Sequence, residues 1–230
     1  MSEIPHTLHE FEEGLANTKK SILLMASTAS VNLKNAVIGL LERDSNLCNQ
    51  AIADDDIVNT FERQIDEDGM EILMRFNPVA TDLRSVIGSM KISTNLERIS
   101  DLAEHIARRA RKILKKPNQS ETRLIEPLFQ KAADLLDDAI QAYSEGDVEL
   151  ALTLFKRDEE LDALHGKILK KLTRLMEQDT ENLRTYLNLI FIVRCLERVG
   201  DHSVNIGEEA VYIHRAADIR HVGPSALEEE

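Results

Sequence analysis

Four pairs of acidic residues stand four positions apart in this sequence: Glu62/Asp66, Glu97/Asp101, Asp158/Asp162 and Glu197/Asp201. In a helix, that spacing puts both members one turn apart on one face, so each pair projects two carboxylates side by side. Two helices doing this at matching heights would converge four carboxylates. Magnesium, manganese and iron ions favour oxygen ligands, and four bridging carboxylates suit more than one ion. With 41 acidic residues among 230, chance alone supplies about seven such pairs, most of them on solvated faces. Like charges at this spacing cost about 0.2–0.5 kcal/mol per pair, so a retained pair calls for a neutralising partner. Two partners are open: a cation, or the neighbouring Arg98 and Arg198 in an arginine-neutralised structural network.

Other residues with chemical potential are fewer. Asp162 and His165 lie three apart and Asp101 and His105 four apart, and either histidine could add a nitrogen ligand, but neither recurs in the other half, where position 205 is Asn. The sequence has no pair of Glu-x-x-His motifs, which disfavours an oxygen-activating di-iron enzyme. His202 follows Asp201 directly and so points around the helix, where a surface or packing role is expected. Gly-rich phosphate loops, HExxH and GxSxG are absent. Arg84 and Arg184 recur at helix-start signals, where they pair with acids of the first turn.

These residues need long helices to position them. Gly (9) and Pro (5) are scarce, and period-two alternation of strand type appears nowhere. Apolar spacing and punctuation mark six helical stretches. The first runs from about Leu8 to Arg43, and Asp44-Ser-Asn46 interrupts it. The second begins within Ala51–Asp56 and ends at Phe76, because Asn77-Pro78 cannot continue it. Thr81 or Asp82 caps the third, which reaches the basic run before Pro117. A fourth covers Glu121–Ser144 and is kinked or properly begun near Pro127. Asp147 caps the fifth, which runs to about Asp179, and the sixth extends from Glu181 or Asn182 to Ala216.

The third stretch, shifted by 100 residues, lands on the sixth without gaps: Leu96-Glu-Arg-Ile-Ser-Asp101 falls on Leu196-Glu-Arg-Val-Gly-Asp201. The second lands on the fifth with a shift of 96, placing Glu62, Ile65 and Asp66 over Asp158, Leu161 and Asp162. Chance explains single acidic pairs but not sets that recur in matching apolar frames. An all-α fold of two tandem antiparallel three-helix bundles follows, over residues 1–117 and 118–216, with a polar tail at 217–230.

The formal charge of −13 disfavours nucleic acid or an anionic membrane as a partner. Cys48 and Cys195 sit in separate helical patterns as small core residues rather than a disulfide. The first thirteen residues lack the pattern of a signal peptide, and the longest apolar runs, Ile22–Ala26 and Leu189–Val193, are too short to cross a bilayer. A cytoplasmic location without membrane insertion is the expectation.

Across nearly the whole chain, from Phe11 to Gly223, the sequence resembles the PhoU family of bacterial phosphate-transport and phosphate-regulon regulators. The resemblance is carried by Asn77-Pro-Val-Ala-Thr-Asp-Leu-Arg84, by the two Leu-Glu-Arg motifs above and by Arg220-His-Val-Gly223. It implies tandem three-helix bundles in which the acidic pairs carry multinuclear clusters of iron, zinc, nickel, manganese or magnesium. Glu62, Asp66, Glu97 and Asp101 would then serve a first cluster, and Asp158, Asp162, Glu197 and Asp201 a second. Ser100 departs from the family's usual glycine, which Gly200 keeps, so the copies are expected to differ. The resemblance further implies a non-enzymatic, homodimeric adaptor that binds the phosphate-sensing histidine kinase and the ATPase subunit of the phosphate ABC transporter, restraining both when phosphate is plentiful. Two rivals stand beside it. A carboxylate-cluster metal-dependent hydrolase needs a general base and a substrate pocket that the sequence does not offer, and a purely structural helical dimer needs no metal at all.

Overall fold

The computed structural model describes the backbone of residues 4–220 and the side chains from His9 onward. The described residues form seven α-helices: α1 (Ile4–Leu41), α2 (Ser45–Ala53), α3 (Asp55–Phe76), α4 (Ala80–Leu114), α5 (Glu126–Glu145), α6 (Val148–Gln178) and α7 (Leu183–Arg215). A 3₁₀ turn at Ser120–Ile125 leads into α5. Local chemistry explains most of the boundaries. Asn77 takes the left-handed conformation (φ 46°) just before Pro78, ending α3. Gly146 ends α5 in the same way (φ 70°), and Asp147 then caps α6 by accepting from the Leu150 amide at 3.0 Å.

Two boundaries differ from the sequence reading. Residues 45–53 form the separate helix α2, capped by Asp44, which accepts from the Asn46 amide at 2.7 Å. The interruption at Asp44-Ser-Asn46 is therefore the start of a helix, not a gap. At the head of α4 the cap residue is Val79, with no side-chain cap bond. Thr81 instead accepts from Arg84 Nη2 at 2.9 Å, so neither Thr81 nor Asp82 caps the helix.

Helices α1, α3 and α4 pack together in the first half, and α5, α6 and α7 in the second, with α4 packed along α7. One continuous apolar core runs from Ile22 of α1 to Ile213 of α7 and takes in Leu96, Leu161 and Leu196 from both halves. The two bundles therefore share a core rather than each keeping its own. Three contacts fix the α4–α7 arrangement. A Cβ on Gly88 would lie 2.7 Å from Ile213, Asn205 donates to Asn95, and Arg109 stacks 4.0 Å over Phe191. Residue numbers rise along α4 as they fall along α7, so the helices are antiparallel. These contacts then place Ser100 and Gly200 close to one level along the paired helices.

By length and composition, the stretch His9–Leu41 is apolar enough to cross a bilayer, with a window of mean hydropathy 1.2. The uninterrupted apolar runs remain short, and the average is met only over the longer stretch. Half of that window is buried against the other helices, as suits the apolar stripe of a core helix. Cys48 is buried and Cys195 half-buried, and both are free. After α7 the chain turns back far enough to bury Ile219 against Val211 and Ala151. The rest of the tail, residues 221–230, lies outside the described residues, as does the end of the Arg220–Gly223 motif.

Candidate metal centres

In the first half, α3 presents Glu62 and Asp66 toward Glu97 and Asp101 of α4, all four half-buried. Burial pushes Glu62 above the usual carboxylate range, and Asp66 adds to the shift. Burial likewise raises Glu97 to about 7, with Asp101 the next cause and Glu62 and Asp55 contributing. Arg98 spans this cluster. Its Nε lies 3.2 Å from Glu97 Oε2 and its Nη1 3.3 Å from Asp101 Oδ2. The arginine that competes with a cation is thus in ion-pair range in this half, while Glu97 Oε2 is buried without a hydrogen bond.

A buried polar triad of Asn32, Asp55 and Ser100, with the half-buried Asn59 beside it, underlies the cluster and escaped the sequence reading. Ser100 Oγ donates to Asp55 Oδ1 at 2.7 Å, Asn59 Nδ2 donates to Asp55 Oδ2 at 3.1 Å, and Asn32 Nδ2 donates to Ser100 Oγ at 3.2 Å. Asp55 is buried, and its pKa is raised by burial against the lowering effect of the Ser100 hydrogen bond. Ser100→Ala leaves a buried carboxylate oxygen without its donor. The expected loss of stability is about 1–3 kcal/mol, read as a lowered urea midpoint at unchanged slope. An unchanged midpoint would show that the triad carries no weight.

In the second half, α6 presents Asp158 and Asp162 toward Glu197 and Asp201 of α7. Burial raises Asp158 to about 7, followed by the charges of Asp162, Asp201 and Glu197. Glu197 and Asp201 are raised by burial too. Asp162, His165 and Glu197 each bring one ligand atom within 4.8 Å of the others, the one such trio found among the described residues. Asp158 Oδ1 and His165 Nε2 are buried without a hydrogen bond. A Cβ on Gly200 would stand 2.7 Å from Asp158 Oδ1, so glycine is what lets that carboxylate lie against α7. Among the described residues no ion pair joins Arg198 to Glu197 or Asp201.

The structure thus places the eight predicted carboxylates on the facing helices α3 and α4 and α6 and α7, and among the described residues it brings ligand atoms within reach of one another only at Asp162, His165 and Glu197. Of the two histidines noted beside them, His165 joins its group, whereas His105 is exposed. His202 has the expected packing role: its Nδ1 meets Asn95 Oδ1 at 2.9 Å across the α4–α7 contact. The acid partners expected for Arg84 and Arg184 are not found, since Arg84 bonds Thr81 and Arg184 is exposed. Crowded carboxylates with raised pKa and orphaned buried acceptor atoms are a donor set that a divalent cation fits. The fit is better in the second half, where the orphaned atoms include a nitrogen.

Comparison with known proteins gives consistent matches over the full length. The sequence model of the PhoU domain matches residues 22–110 and again residues 125–210. The phosphate-specific transport system accessory protein PhoU homolog of Pseudomonas aeruginosa is 34% identical over 98% of this chain and 93% of its own length. The accessory protein PhoU of Escherichia coli is 29% identical over 97% of this chain and 92% of its own. The crystal structure of PhoU from P. aeruginosa superposes with a TM-score of 0.87 at 32% identity, covering 90% of this chain and all of that one. The phosphate transport system regulatory protein PhoU from Streptococcus pneumoniae, at 24% identity and a TM-score of 0.83, shares the fold.

Proposed function

The chain belongs to the PhoU family, and from that premise we propose that it is an accessory protein of phosphate-specific transport that acts as a metal-binding adaptor. It restrains the phosphate ABC transporter, through its ATPase subunit, and the phosphate-sensing histidine kinase when phosphate is plentiful. The observation that carries this reading is the full-length match to relatives named for that role, with the repeated domain in both halves. Long helices with broad polar faces suit docking onto another helical bundle. In this reading the protein works in the cytoplasm as a homodimer, without catalysis of its own. The clusters Glu62, Asp66, Glu97 and Asp101, and Asp158, Asp162, Glu197 and Asp201, hold divalent or trivalent ions that fix α3 to α4 and α6 to α7. A bound ion would supply the positive charge that these carboxylates otherwise lack.

Deleting the gene tests the regulatory role. Expression of phosphate-starvation genes in phosphate-rich medium should rise well above the wild-type level. Expression unchanged by the deletion would sink the reading. A pull-down with the cognate kinase and transporter ATPase then asks whether restraint runs through direct contact.

A further inference from the structure

We propose that the two clusters differ in cation chemistry: His165 makes the second a nitrogen–oxygen site for a borderline transition ion, whereas the first offers oxygen ligands only. This rests on the metal-binding reading above and adds a ligand and a selectivity to it.

Four observations carry the inference, and each is a place where the repeat breaks. First, the position that matches His165 under the 96-residue shift is Gly69, and a Cβ there would meet Met90 Sδ at 2.8 Å. Methionine fills in the first half the space that an imidazole takes in the second. Second, His165 Nε2 is buried and makes no hydrogen bond, while the trio's ligand atoms lie within 4.8 Å of one another. A desolvated ring nitrogen normally finds a partner. The span is close to that of donors sharing one ion at about 2.0–2.3 Å from each. Third, the exposed Arg98 lies in ion-pair range of Glu97 and Asp101, whereas Arg198 makes no such pair among the described residues and acts on Asp201 only through its charge. Fourth, Ser100 belongs to the buried triad with Asp55, whereas Gly200 leaves room for Asp158 to lie against α7.

Imidazole suits zinc, iron and nickel, whereas carboxylates alone suit magnesium and manganese. One neutral nitrogen among carboxylates thus tilts the second site toward the first group. The oxygen-only cluster has no comparable preference.

The test is calorimetric titration of the full chain with Zn²⁺ and, separately, Mg²⁺, on wild type, His165→Gln and Glu97→Gln. The expected result is one tight Zn²⁺ site in the wild type, weakened about 10–100-fold by His165→Gln and unchanged by Glu97→Gln. Mg²⁺ affinity should move less than about twofold in His165→Gln, which also shows that the variant is folded. X-ray absorption of the Zn²⁺-loaded wild type, which needs no variant, should show imidazole scattering. Tight Zn²⁺ binding that survives His165→Gln, with no imidazole signal, overturns the inference and leaves the metal-binding reading intact. A wild type that binds neither ion overturns both.

Discussion

Raising the pH from about 4.5 to 8 is expected to destabilise the metal-free protein by about 2–4 kcal/mol, as measured by urea unfolding in the presence of chelator. The cause lies in Asp158 and Glu97, both pushed up to about 7, chiefly by burial and then by the neighbouring Asp162 and Asp101. In the unfolded chain the same groups release their protons near pH 4. Between those values the folded protein holds more protons than the unfolded one, so stability falls as pH rises. The contribution is fully present below the unfolded pKa and gone once the pH passes about 7. A full conversion of the shifts would exceed this range, but both side chains keep part of their exposure to solvent, which screens the repulsion. Asp158→Asn combined with Glu97→Gln removes the titration while keeping the shape. That double variant should be the more stable protein at pH 8 and should show a flatter profile. A wild-type profile that stays flat or rises over this interval would contradict the account.

The second large effect is the reverse of the first. Zn²⁺ at about a hundred times its dissociation constant should raise the unfolding free energy by about 2.7 kcal/mol, most of it lost in Asp162→Asn. Ligating carboxylates must be ionised, so protons compete with the ion. Because Asp158 is pushed up to about 7, chiefly by burial, binding at the second cluster should weaken by about tenfold for each pH unit below that value. A titration at pH 6.5 should therefore release protons, visible as a dependence of the binding heat on buffer ionisation enthalpy. Binding with the same affinity at pH 5 and pH 8 would mean that the ion sits away from Asp158.

Much of this site was legible because a helix converts sequence spacing into geometry. Glu62 and Asp66 had to share a face once α3 was read as a helix, and the 96- and 100-residue shifts had to bring the matching pairs together in both halves. Gly146 and Asp147 announced their turn for the same local reason. What escaped depended on packing between elements. Asp55 looked like an acid in the first turn of a helix, where it suits the dipole. Only the fold shows it buried against Ser100. The repeat argument worked against finding it, since its counterpart is Ala151. His165 was visible beside Asp162, but its lack of a counterpart made it look incidental. The orphaned Nε2 could be seen only once α6 lay against α7. The shared core was hidden too, because amphipathic stripes tell which face is buried without telling against which neighbour.

The most direct test of the central claim, that the matched acidic pairs are cation sites, is the metal content of protein purified without chelator or metal-affinity tag. Elemental analysis of wild type, Glu97→Ala and Glu197→Ala from the same preparation should find bound metal in the wild type. Glu197→Ala should lose most of the transition metal, and Glu97→Ala only what the first cluster holds. Equal metal content in all three proteins would contradict the assignment.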